Sequence, residues 1–291
     1  DETDSEEESE EWLDNGCKAG EEYIAEEDTC ILPIECDDYE SCIDWSNELI
    51  ASLEDLYGSL TEEESVMTDD DFQLISTYEI DNEAEEITTE NDVTDEELEW
   101  HADLWFSFSW LIPEPYRTNI NQFEVFKSGS TLAYMKINDD YGEYWTLGIN
   151  NENIELASET MITYLHEYAH YLSLNNQEID YFTDEINCTT VYITDMGCAY
   201  EDSYIYDFYQ QFWAEGNAGE GEDDFVSEYA MTSVDEDFAE SFAHFVLTQT
   251  PEGDTFMEEK LLFFYNYEEL VQLRTEILSR AATWLDRNVI M

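Results

Sequence analysis

The sequence predicts an α+β fold: a small mixed sheet and a helix-rich C-terminal lobe, preceded by a small disulfide-bearing module. Three observations carry this. The six cysteines fall into two groups, Cys17, Cys30, Cys36 and Cys42 near the start and Cys188 and Cys198 far downstream. Short runs rich in aromatic and β-branched residues lie between Gln122 and Ile149. From Leu156 onward the apolar period becomes helical.

Composition bounds the rest. A chain of 291 residues can bury a sizeable core, and 43% hydrophobic with 15% aromatic content excludes wholesale disorder. No run approaches the roughly 20 apolar residues that span a bilayer. The sequence starts at Asp1 with neither an initiator Met nor an apolar leader, as expected of a processed chain. Acidic residues number 75 against 8 basic ones, for a formal net charge of -67. So few cations cannot build a phosphate-neutralising patch, which argues against nucleic acid and anionic membranes as partners. Self-repulsion on this scale calls for screening, and the Debye length falls to about 3 Å at 1 M salt. A salt- or cation-rich habitat accounts for the charge, and so does a secreted chain depleted in Lys.

An even cysteine count grouped in this way reads as disulfides, hence an oxidising, extracellular or cell-surface setting. A zinc knuckle is the rival reading for the first four, but they lack a C-x2-C pair and the segment has no His. Their connectivity stays open.

Residues 1–16 are mostly acidic and read as a solvated tether, one able to anchor the chain at a cell surface. Residues 17–58 are the Cys-bearing module, whose final helical pattern through Leu49, Ile50, Leu53 and Leu56 stops at Gly58. Residues 59–94 are acidic again and read as linker. Asp69, Asp70 and Asp71 within it lack the alternating ligands and Gly of a calcium loop.

The main domain is expected over 95–291. A helical stretch, Glu96 to Trp110, ends before Pro113. Strand-like runs follow at Gln122 to Phe126, Thr131 to Ile137 and Tyr144 to Ile149, broken by turns at Gly129 and at Asp139 to Gly142. A helix runs from Leu156 to Leu174, Cys188 and Cys198 fall in a strand-poor stretch, and a last helical run covers Tyr267 to Asp286. A Cys188–Cys198 disulfide would clip that loop and stabilise by on the order of 3 kcal/mol. A nucleophilic Cys pair is the weaker reading, since neither has a His nearby in sequence.

The chemistry centres on Thr163 to Tyr171, which contains H-E-x-x-H as His166, Glu167 and His170. Residues four apart share a helix face, so both imidazoles can offer a nitrogen to one ion. Glu167 lies beside that face, placed to take a proton from water. The chain has only 4 His, and finding two of them here argues for a metal site over accident. His101 reads as a capping or surface residue, and His244 as a packing residue one turn beyond Glu240. A third ligand is therefore sought among carboxylates. The better candidate is the segment Ser227 to Phe242, read as a second helix from the apolar stripe Phe238, Ala239, Phe242, Ala243 and Phe245, in which Glu236 and Glu240 lie one turn apart. In so acidic a chain such a pair is uninformative alone; the apolar Phe238, Ala239 and Phe242 around it make it credible.

Together these segments resemble the gluzincin metallopeptidases, most of all the catalytic domain of anthrax lethal factor and related secreted enzymes. The family motif Y-x-x-T-N-x-x-E-x-F-A-E is matched by Tyr229, Thr232, Glu236, Phe238, Ala239 and Glu240, with Ser233 in place of Asn. The resemblance spans roughly 95–290 and implies a zincin-like fold. It implies zinc (Zn2+) held by His166, His170 and Glu236, Glu167 as the base, Glu240 supporting a His ligand, and Tyr229 hydrogen-bonding the oxyanion. It further implies that the strand Tyr144 to Ile149 is an edge that grips an extended peptide. Read from its residues alone, that strand could equally turn Trp145 and Leu147 into the core. The expected activity is secreted zinc endopeptidase. The alternatives are a catalytically idle zincin-like surface module that binds a protein partner, and a cation-buffering acidic surface protein.

Overall fold

The computed structural model describes residues 17–18, 20–24, 29–61, 72–82, 86–151, 157–215, 219 and 221–288. The expected tether at 1–16 and the run Asp69 to Asp71 lie outside them. In chain order the elements are β1 (Glu22–Ile24), β2 (Thr29–Ile31), α1 (Tyr39–Tyr57), β3 (Gln73–Asp81), β4 (Glu86–Thr88) and α2 (Asp95–Leu111). There follow α3 (Glu114–Arg117), β5 (Ile120–Lys127), β6 (Ala133–Ile137), β7 (Trp145–Asn150) and α4 (Ala157–Leu174). Then come β8 (Ile179–Asp180), β9 (Tyr192–Ile193), β10 (Gly197–Ala199), α5 (Tyr204–Phe212), α6 (Val234–Leu247), α7 (Phe256–Phe264) and α8 (Glu268–Asn288). The fold is α+β, as expected, and no described helix is long and apolar enough to cross a membrane.

The cysteines pair as Cys17–Cys30, Cys36–Cys42 and Cys188–Cys198, which removes the thiolates a zinc knuckle needs. The first bridge closes the β1–β2 hairpin. Asp38 caps α1 in a reciprocal box with Ser41, and Gly58, at φ +86, ends the helix where a side chain would be strained. The N-terminal segment does not stand apart as a module. Ser46 and Leu53 of α1 are buried, Ser46 Oγ lies 3.3 Å from Thr275 Oγ1 of α8, and Lys18 Nζ pairs with Asp286 at 2.8 Å. Helix α1 thus belongs to the main core, and Lys18 is tied to α8.

The stretch 59–94, expected as linker, supplies two of the five strands in the main sheet. Strand order is β4-β3-β5-β7-β6, with β5 and β7 parallel and the other pairs antiparallel. In β3, inward Ser76 and Tyr78 alternate with outward Glu79 and Asp81, so acidic outer residues concealed the strand. All six residues of β7 are buried. The strand at Tyr144 to Ile149 is therefore internal, with Trp145 and Leu147 in the core, and the sheet edge is β6. His101 is corrected too: it is 1% exposed, with Nδ1 2.5 Å from the Tyr78 hydroxyl. The strand-poor stretch around Cys188 and Cys198 holds a small sheet ordered β8-β10-β9.

One face of the main sheet packs on α2 and α4 through Phe123, Trp105, Phe108 and Tyr164. Helix α4 is apolar almost all round (Met161, Ile162, Leu165, Tyr168 and Ala169 are buried), the pattern of a helix threaded through a core. The β6–β7 turn docks on the end of α4, where Asn176 N–H donates to the Gly142 carbonyl at 3.2 Å. The C-terminal lobe packs α5, α6 and α7 through edge-to-face rings of Phe208, Phe238 and Phe263.

At the start of α5, Tyr204 N–H donates to Glu178 Oε2 at 2.6 Å. Burial, opposed by that hydrogen bond, pushes the Glu178 carboxyl up to about 7. A carboxyl raised on folding binds its proton more tightly in the native state, so its contribution to stability falls as pH rises from about 4.5 to about 7. Glu178→Gln keeps the acceptor without the charge. Thermal melts should show Glu178→Gln gaining on the parent by on the order of 1–3 kcal/mol between pH 5 and pH 8. A gap that does not change with pH would refute this.

Candidate metal centre

Helix α4 places His166 and His170 one turn apart on the face turned towards α6. Their Nε2 atoms are 3.1 Å apart, and Glu236 Oε2, from the first turn of α6, lies 3.2 Å from each. Two imidazole nitrogens and a carboxylate oxygen thus form a nearly equilateral triangle. Tetrahedral bonds of about 2.0–2.1 Å set ligand atoms about 3.3–3.4 Å apart, so the triangle has nearly the size that a tetrahedral ion requires. Glu236 Oε2 is buried with no hydrogen bond aligned on it, as suits an oxygen facing a cation. This donor set fits zinc. The other described cluster of potential ligands, Cys17, Glu21 and Cys30, has its two sulfurs in a disulfide.

Surrounding groups fix each donor. His166 Nδ1 lies 2.6 Å from Glu240 Oε1, the nearest carboxylate to that nitrogen, while its Nε2 is at the triangle. The Ser227 side chain in turn favours the charged form of Glu240. The other oxygen of Glu236 accepts from the Tyr229 hydroxyl at 2.9 Å. Tyr229 is held by its own turn, in which the Thr232 hydroxyl donates to the Tyr229 carbonyl at 2.7 Å. Glu167 is 8% exposed and faces the Met135 N–H of β6, which favours its charged form.

Electrostatics follow from this packing. Burial opposes a charge on His166, yet Glu236 and Glu240 push its pKa up to about 10, so the site favours positive charge. Burial works against ionisation of Glu236 as well, but the two imidazoles hold it well below the usual carboxylate range. Burial raises Glu167, with both imidazoles pulling back. Burial, then Glu236, raises Tyr229, so its hydroxyl keeps the proton it donates. Comparison with family models, curated proteins and solved structures finds no match.

All six site residues read from the sequence, His166, Glu167, His170, Tyr229, Glu236 and Glu240, meet here. His244 stays apart from the triangle, with Nδ1 2.9 Å from the Glu240 carbonyl. Sequence reasoning missed Ser227, which nothing in the local pattern marks. It also missed Met135, whose N–H matters only because of strand register. In the β6–β7 pairing Asn138 N–H bonds to Tyr144 O and Asn150 N–H to Leu132 O. By alternation, the amides and carbonyls of Ala133, Met135 and Ile137 point away from β7, along the sheet edge beside Glu167.

Proposed function

We propose that the protein is a secreted zinc-dependent endopeptidase of the gluzincin type, with zinc held by His166, His170 and Glu236. The observation that carries the reading is the triangle of their donor atoms with the Glu167 carboxyl beside it. Three disulfides support secretion. Zinc supplies a water with its pKa lowered towards about 7 and an electrophile for the scissile carbonyl. Glu167 takes the proton as the water oxygen bonds to the carbonyl carbon, then delivers it to the amine as the C–N bond breaks. Tyr229 turns its hydroxyl from Glu236 to the developing oxyanion. Glu240 keeps the His166 tautomer. The outward amides and carbonyls of β6 pair with the main chain of an extended peptide.

The test is cleavage of a peptide library with and without chelator. Cleavage should stop on chelation and return with added zinc. A zinc-loaded protein that cuts nothing would favour the idle partner-binding module, and a purified protein that takes up no zinc would remove the metal reading.

Four of the 8 cationic side chains, Arg117, Lys260, Arg274 and Arg280, are buried, as are the carboxyls Glu124, Glu167, Asp237 and Glu240, so the surface keeps the strong net negative charge of the composition with its cations scarcer still. At low salt, peptides bearing Lys or Arg should therefore show kcat/KM about tenfold or more above acidic analogues, and 1 M salt should erase the difference. Equal rates at low salt would leave the charge a role in solvation alone.

A further inference from the structure

Next to Glu236 in α6, Asp237 faces a different side of the helix. Both its side chain and that of Lys260 from α7 are fully buried, and Lys260 Nζ lies 2.7 Å from Asp237 Oδ2. Trp213 Nε1 donates to the same oxygen at 2.7 Å, and Ser241 Oγ donates to Oδ1 at 3.3 Å. The Lys260 ammonium also sits 3.5 Å from the centre of the Phe225 ring. Phe225 opens the segment that carries Tyr229, the donor to Glu236.

A buried ion pair is weak evidence for stability, because apolar residues of similar volume often do as well. This one takes one of the chain's few cations and buries it beside a metal ligand. What it supplies is orientation. On α6, Glu236 and Glu240 form one polar stripe facing His166, while Asp237 and Ser241 form a second about 100° round the helix, facing Lys260 and Trp213. A helix gripped on two stripes cannot turn about its axis. Side-chain tips stand about 5–6 Å from that axis, so a 10° turn moves the Glu236 carboxylate by about 1 Å. Misplacement by that distance can remove about 10²-fold in rate.

We propose that Asp237 and Lys260 are positioning residues for the metal site. Asp237 sets the rotation of α6 and hence the aim of Glu236, and Lys260 carries that setting through Phe225 to the segment bearing Tyr229. The proposal rests on the reading of His166, His170 and Glu236 as ligands.

The test uses the full chain and three readouts: zinc affinity by chelator competition, kcat and KM measured separately at saturating zinc, and the melting temperature. Lys260→Met should weaken zinc binding about 10- to 100-fold, the usual cost of losing an outer-shell partner, and lower kcat more than KM. Lys260→Arg should restore part of both. Phe225→Leu should leave zinc affinity unchanged and lower kcat alone, because it frees the Tyr229 segment without turning α6. If Lys260→Met fails to fold, Asp237→Asn with Lys260→Met removes both buried charges and should still weaken zinc binding. A lower melting temperature with zinc affinity and kcat within twofold of the parent, in whichever of these variants folds, overturns the proposal. A parent that binds no zinc refutes the metal reading instead, and a parent that binds zinc without turnover leaves the affinity comparison decisive.

Discussion

Glu167→Gln is expected to lower peptide hydrolysis by about 10²- to 10⁴-fold while zinc stays bound. Gln has the same shape, and its side-chain carbonyl can still face the Met135 N–H. It cannot take a proton from water. None of the three triangle atoms belongs to residue 167, so the metal site itself should be unchanged. Burial raises the Glu167 carboxyl above its ordinary value, which makes it a stronger base, and Gln has no such group. The measurement is turnover of a cleaved peptide alongside zinc content by metal analysis. Loss of zinc together with activity would mean that Glu167 is structural. Full activity without the carboxylate would remove it from the mechanism.

The site was more legible in the sequence than the frame that carries it. A spacing of four on a helix is a local rule, so His166 and His170 could be placed on one face before any fold was known. The same rule put Glu236 and Glu240 together. The sheet order depends on distant partners, and no local pattern reveals that β7 lies between β5 and β6 or that the edge beside Glu167 belongs to Met135. In β3, alternation was present in Ser76, Tyr78 and Ile80, but an excess of acids made the stretch look like linker. The N-terminal segment looked independent because its cysteines pair locally. What joins it to the core, Ser46 with Thr275 and Lys18 with Asp286, spans more than two hundred residues. Lys260 carried a faint signal, a lone cation inside Phe256–Phe264, which is otherwise largely apolar. Its partner could not be guessed among so many acids.

Glu236→Gln and Glu240→Gln separate a ligand from its support. Both remove one negative charge from the same face of α6, one turn apart, so any effect of net charge is common to the two. Glu240 touches His166 Nδ1, and its loss should cost about 10- to 100-fold in zinc affinity. Glu236 supplies a triangle atom, and its loss should cost more than that. The difference can be read without any substrate. At free zinc about 1,000 times the parent's Kd, binding stabilises the parent by about 4.1 kcal/mol, and a 100-fold weaker site retains about 1.4 kcal/mol. Glu240→Gln should therefore keep a third or more of the zinc-induced stabilisation, and Glu236→Gln should keep less. Equal losses would mean that α6 contributes only a negative field to the two histidines, and Glu236 would then have no claim to be a ligand.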